Sequence, residues 1–236
     1  MPTLFYGEHQ IPYTLKSSRR RRTLALQVNH LQQVTVLAPQ RLSVPSIDRF
    51  LQARADWVIK KLHYFAEVGR QYPAKQYTQG ESFLVRGKPC RLEVLVDPAY
   101  RRSKVERAGE TLVVRVRSCE RVEAAVRRWF KGEAAALAQE AVSRLAPKLG
   151  VYPKLIRIAN QKRRWGSCSS RGHLRFNWRI AMMPEPIADY VVIHELAHMR
   201  VANHSAKFWS AVQTVLPDYK PRRSWLRANG MQFSVI

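Results

Sequence analysis

Acidic residues are scarce in this chain. Seventeen Asp and Glu stand against 41 Lys and Arg, a formal net charge of +24 over 236 residues, far beyond what solubility requires. A surface so one-sided attracts polyanions, nucleic acid first among them. Cysteine is rarer still: Cys90, Cys119 and Cys168 are odd in number and show no Cys-x-x-Cys spacing. That excludes a disulfide framework and a zinc knuckle, and predicts free thiols in a reducing cytoplasm. No apolar run approaches the length of a membrane span, and the first ten residues lack a signal-peptide core. Also missing are a glycine-rich phosphate loop, a nucleophile elbow, a base-reading helix-turn-helix or zinc finger, any internal repeat and any low-complexity segment.

What remains is a chain that is 46% hydrophobic and 10% aromatic, enough to bury one large core or two smaller ones. Up to about residue 40 it reads as strands. Leu24, Leu26 and Val28 alternate with polar neighbours, as do Val34, Val36 and Ala38, with a turn near Asn29. Pro45 and Ser46 then open one helix, with Ile47, Phe50, Leu51, Trp57, Val58, Leu62 and Phe65 inward. A second strand group covers Phe83–Val85, Cys90–Val96 and Leu112–Val116, with a turn at Gly87–Pro89. Glu120–Leu149 is helical and Gly150 is placed to cap it. After a short strand at Leu155–Ile158, the stretch Gln161–Trp178 reads as a hairpin turning at Ser169–Gly172, with Trp165 and Trp178 on its two arms. Ser205–Leu216 gives a further helix. The expected fold is α+β in two parts. Residues 1–118 form a β-rich part with a packed helix. Residues 119–236 form a mainly helical part with a β-hairpin beside its central helix, Asp189–His198.

That helix carries the chemistry. His194-Glu195-Leu196-Ala197-His198 places two imidazoles four apart on one helical face, where both reach a single divalent metal. Glu195 projects beside it and can accept a proton from a water on the metal. Tyr190–Ile193, Leu196 and Ala197 make the helix apolar nearly all round, so it is buried, and buried His and Glu need a reason to be there. A third imidazole, His204, becomes a ligand if the helix ends near Val201 and the chain turns back through Ala202 and a left-handed Asn203. Asp218 and Glu185 compete with it for that place. Three imidazoles plus an open position describe a catalytic zinc site. The spacing also equals that of metzincins, but Val201 stands where they have Gly, so this turn is built differently.

Arg164-Trp165-Gly166-Ser167-Cys168, Asn177, Asp189–His198, Asn203-His204-Ser205 and Phe208-Trp209 together resemble the YgjP-like metallopeptidase family, related to the SprT-like and WLM zinc peptidases. The match is tightest from about 155 to 228 and extends loosely over nearly the whole chain. The resemblance implies a zincin-like metallopeptidase part at 119–236, with Zn2+ as cofactor, His194, His198 and His204 as its ligands, Glu195 as catalytic acid/base and a peptide or protein as substrate. Trp165, Asn177 and Trp209 receive structural support roles.

The expected function is therefore a zinc-dependent peptidase using a metal-activated water, with Glu195 as general base. A strand of the hairpin beside the metal helix would hold extended substrate by backbone hydrogen bonds. The competing expectation is a nucleic-acid-binding protein with a structural or vestigial zinc site. Glu195 discriminates, since a structural site has no use for it. The residues that would grip phosphates are Arg19, Arg20, Arg21 and Arg22, with Lys162, Arg163 and Arg164. The SprT-like and WLM relatives act on proteins attached to DNA, so both activities fit one protein. A zinc hydrolase acting on a bond other than a peptide stays open.

Overall fold

Val34, Val36 and Ala38 alternate inward in strand β4 (Val34–Pro39) of the computed structural model, which describes residues 2–161 and 164–233. With β1 (Thr3–Tyr6), β2 (His9–Ser18) and β3 (Ala25–Val28) it forms a sheet in the order β1-β2-β4-β3. β2 and β4 run parallel, the outer pairs antiparallel. Asn29 makes the β3–β4 turn by accepting the Leu31 and Gln33 N–H groups on its side-chain oxygen, at 3.0 and 2.9 Å. The sheet buries one face together with Ile47, Leu51, Ala55 and Val58. These lie on two helices, α1 (Val44–Gln52) and α2 (Ala55–Gln71), where one was expected. Arg54 leaves helical geometry at φ −121°, and the chain restarts with Ala55 again in the core. Trp57, expected inward, is 40% exposed.

A second sheet repeats this topology: β5 (Ser82–Val85), β6 (Lys88–Val96), β7 (Lys104–Ala108) and β8 (Thr111–Val116), in the order β5-β6-β8-β7 with β6 parallel to β8. Phe83, Val85, Leu92, Leu112 and Val114 bury its inner face against α3 (Val122–Leu149) in a shared core with Val126 and Phe130. Gly150 caps α3 in the left-handed conformation, φ 62°, as expected. A sheet with one apolar face needs a helix to cover it. The chain accordingly divides into a unit up to Ala74 and a unit from Lys75 onward. The boundary expected at 118/119 falls inside the second.

The third sheet is small: β9 (Leu155–Ala159), β10 (Gly166–Cys168) and β11 (His173–Asn177), ordered β10-β11-β9. β10 and β11 form the expected hairpin, with Gly172 at φ 73° donating its N–H to Ser169 O. Trp165 and Trp178 flank its arms instead of lying on them. Among the described residues β10 pairs on one side only, leaving an open edge. Three helices follow: α4 (Glu185–Ala197), α5 (Ala206–Val215) and α6 (Tyr219–Asn229). α6 was not expected, because Pro221 reads as a breaker. In a helix's first turn, however, its missing N–H removes no bond. No helix among the described residues is long and apolar enough to cross a membrane.

Two contacts set the position of α4. Asp189, buried on α4, accepts a hydrogen bond from the Arg144 guanidinium of α3 at 2.6 Å. At the start of α4, the β5–β6 turn docks by backbone: Arg86 N–H donates to Ala181 O (2.8 Å) and Gly87 N–H to Met182 O (3.0 Å). This is a two-residue turn at Arg86-Gly87, both with positive φ (48° and 79°), instead of the expected turn at 87–89. A Cβ on Gly87 would stand 2.9 Å from Pro184 Cα. Gly87→Ala therefore combines strain with collision, and should destabilise the protein by about 1–3 kcal/mol. Urea denaturation followed by circular dichroism measures it; an unchanged midpoint would show that the hairpin does not hold the helix.

Candidate metal centre

His194 and His198 occupy the last turn and the cap of α4, whose remaining face is buried from Ile187 to Ala197. The helix ends without a left-handed residue. Arg200 and Val201 N–H both reach back to Ala197 O at 3.0 Å, and His198 caps at φ −65°. Asn203 does not take positive φ as expected. Its side-chain oxygen instead accepts the Ser205 N–H at 3.3 Å, shaping the entry to α5. A right-handed exit suits β-branched Val201, and it still returns His204 to the helix. His204 Nε2 lies 3.0 Å from His194 Nε2. One nitrogen from each of His194, His198 and His204 falls within 4.8 Å of the others. Neither Asp218 nor Glu185 joins this cluster among the described residues; Asp218 pairs with Arg222 at 2.9 Å.

The cluster is electrostatically unfinished. Burial, reinforced by His198, His204 and Arg223, pushes the His194 pKa down to about 3, so this ring is neutral. Burial also lowers His198. Its Nδ1 lies 3.1 Å from Val201 O; a proton there leaves the Nε2 lone pair for the cluster. Two Nε2 atoms 3.0 Å apart share at most one proton. Neutral imidazole lone pairs aimed at one another gain from a cation between them, and an all-imidazole donor set suits zinc. The residues fit such an ion. Phe208 packs against all three rings at 4.5–5.0 Å between centroids, and Trp209 stacks on His204 at 5.8 Å. These contacts hold the imidazoles without competing for their nitrogens.

Glu195 points from α4 toward β10. It is 7% exposed, and burial pushes its pKa up to about 7 against the opposing charge of Arg164. A Cβ at Gly166 would lie 2.6 Å from Glu195 Cγ and 2.7 Å from Oε1. Only glycine lets the strand come this close. Asn177 holds the approach: its side-chain amide donates to Gln161 O (2.7 Å) and Arg164 O (3.1 Å), and its N–H to Trp165 O (2.7 Å). An open cavity of about 510 Å³ lies over the cluster, with Arg164, Trp165, Tyr190, Val191 and Leu226 in its walls. Cys168 also lines it, but burial pushes its thiol pKa up, against a thiolate nucleophile.

Two wall residues had not been singled out as functional. Tyr190 sits one turn before His194, its hydroxyl pushed up to about 12 by burial, and the i, i+4 spacing could have marked it. Leu226 comes from the unexpected α6. Of the residues expected to grip phosphates, Arg164 stands in the cavity wall. Arg19–Arg22 lie between β2 and β3 of the first unit, where Arg19 bonds Gln40 and Arg21 bonds Thr23 O. Lys162 and Arg163 fall outside the described residues.

A helix carrying two imidazoles and a carboxylate, with a third imidazole returned to it, is the kind of centre metallopeptidases use. The model of the YgjP-like metallopeptidase domain matches residues 22–229, so the chain belongs to the YgjP-like metallopeptidase family. No curated protein matches. Among solved structures, the metallopeptidase zymogen of Pyrococcus abyssi abylysin is similar at 24% identity and TM-score 0.35, over 41% of this chain and 95% of that one. That likeness is too slight to bear on the site. The close approach at Gly166 is directly testable. Gly166→Ala should displace the Glu195 carboxylate by about an ångström and lower turnover about 10²-fold, while metal content stays at the native level. Native turnover in the variant would show that the contact does not position Glu195.

Proposed function

We propose that this chain hydrolyses peptide bonds with a zinc ion held by His194, His198 and His204, and with Glu195 as general base. The observation that carries the reading is the convergence of three imidazole nitrogens within 4.8 Å, beside a buried carboxyl group. An ion bound there supplies Lewis acidity, polarising the scissile carbonyl and acidifying the attacking water. Glu195 takes that water's proton and returns it to the leaving amine. Burial suits it to both steps, because a carboxyl titrating near neutrality accepts and releases protons with little bias. The open edge of β10 offers backbone groups to an extended peptide directly above Glu195. Free thiols at Cys90, Cys119 and Cys168 suit a reducing cytoplasm, where we place the protein.

Two variants separate metal binding from proton transfer. Glu195→Gln should keep stoichiometric zinc and lose hydrolysis by a factor of about 10² to 10⁴. His204→Ala should lose both zinc affinity and hydrolysis. Metal analysis beside a peptidase assay distinguishes them. Retained turnover in the first variant would move proton transfer elsewhere; unchanged zinc affinity in the second would remove His204 from the ligand set.

The charge supports a second activity, binding of DNA or RNA without sequence preference. Arg19, Arg20 and Arg22 are exposed in a protein of net charge +24. Affinity for duplex DNA should fall with salt at a log–log slope of about −0.9 per phosphate contact. Changing Arg19–Arg22 to Ser should make the slope shallower and leave zinc content unchanged. If the native protein binds neither a duplex nor a single strand at moderate salt, this reading fails and the peptidase reading stands.

A further inference from the structure

We propose that Arg164 is the specificity-determining residue of the cavity and recognises a carboxylate of the bound peptide close to the bond that is cut. The inference rests on the peptidase reading and adds the chemistry of the preferred substrate.

The position of Arg164 is fixed from behind. Its carbonyl accepts a hydrogen bond from buried Asn177, and the next carbonyl, Trp165 O, accepts the Asn177 N–H at 2.7 Å. The backbone is thus held two residues before Gly166, where the strand meets Glu195. In extended chain two residues span about 7 Å, roughly one or two substrate positions from the reacting carbonyl.

Its guanidinium is exposed in the cavity wall and makes no hydrogen bond or ion pair among the described residues. Other arginines of the same unit do find carboxylates: Arg86 with Glu140, Arg144 with Asp189, Arg127 with Glu123 and Arg222 with Asp218. The carboxyl that feels Arg164 is that of Glu195, yet the two form no ion pair. A base that must accept a proton is spoiled by a direct arginine contact, whereas an arginine held at a distance keeps its donors for another anion. Among the described residues, apart from Arg164 itself, Glu195 and the three imidazoles, every lining side chain is uncharged. The cavity therefore presents, among the described residues, one fixed positive charge and no fixed acidic competitor beyond Glu195. A guanidinium binds a carboxylate through two parallel N–H···O bonds. The +24 surface would draw such substrates in.

The carboxylate can be an Asp or Glu side chain or the peptide's own C-terminus, and one experiment separates them. Labelled peptides of one length, each with a single Asp, Asn or Lys at successive positions, are made as free acids and as C-terminal amides. Binding is read by fluorescence anisotropy to full-length, zinc-loaded protein carrying Glu195→Gln, so that no turnover is needed. At one position Asp should bind about tenfold or more tighter than Asn; if the C-terminus is the ligand, the acid should exceed the amide by that factor. The preference should vanish in Arg164→Gln, weaken in Arg164→Lys and turn toward Lys peptides in Arg164→Glu. Arg164 is exposed, and zinc content with circular dichroism confirms that each variant is folded. A preference that survives Arg164→Gln overturns the inference, as does equal binding of all peptides or no measurable binding at millimolar concentration. If native protein fails to cleave peptides that bind with the Arg164-dependent preference, the peptidase reading fails, the placement near a cut bond falls with it, and only the recognition of a carboxylate by Arg164 stands.

Discussion

Three converging imidazoles, two of which burial keeps from charging, with a carboxyl group pushed toward neutrality beside them, form the constraint on which the second unit depends. Each group alone would be easier to accommodate in water. Gathered together they need a helix fixed in rotation, a return loop of the right length, and a strand close enough to shield the carboxyl. The described elements supply all three. α4 sets two rings one turn apart, its right-handed exit brings His204 back, and β10 approaches so closely that residue 166 has no room for a side chain.

The supports come from distant parts of the sequence. Asp189 ties α4 to α3, the Arg86-Gly87 turn ties its start to the second sheet, and Asn177 ties the strand entering β10 to β11. Asn177 and Asp189 are buried polar residues, and both have their partners. Among the described residues, the buried His194 Nδ1 has no partner; it lies on the ring whose Nε2 faces His204.

The two sheets share strand order and direction, each with a parallel central pair and antiparallel outer pairs, and each leads into helix. No repeat was evident from the residues. Alternating apolar patterns specify which face of a strand is buried, and many different residues satisfy them. The same requirement explains why the second sheet lies with the helices that follow it: Phe83, Leu92 and Leu112 find their cover on α3.

Local spacing alone was enough to show the helix α4, its imidazole pair, the neighbouring glutamate, the β-hairpin and the cap at Gly150, because each depends on residues within a few positions of one another. The third imidazole was also legible, but the route to it was not: the right-handed exit depends on how α4 meets α5, and Asn203 serves that entry instead of taking a left-handed turn. The break at Arg54, the helix α6 behind Pro221, and Leu226 in the cavity wall were hidden for a related reason, since local propensity yields to packing where burial decides. Arg164 shows the division most clearly. Its sequence neighbours make it one of a basic cluster suited to phosphates. The fold adds what those neighbours do not show: it pins the backbone of Arg164 through Asn177 and sets the residue in the cavity wall with Glu195, an arrangement between residues far apart in the chain that only tertiary structure decides.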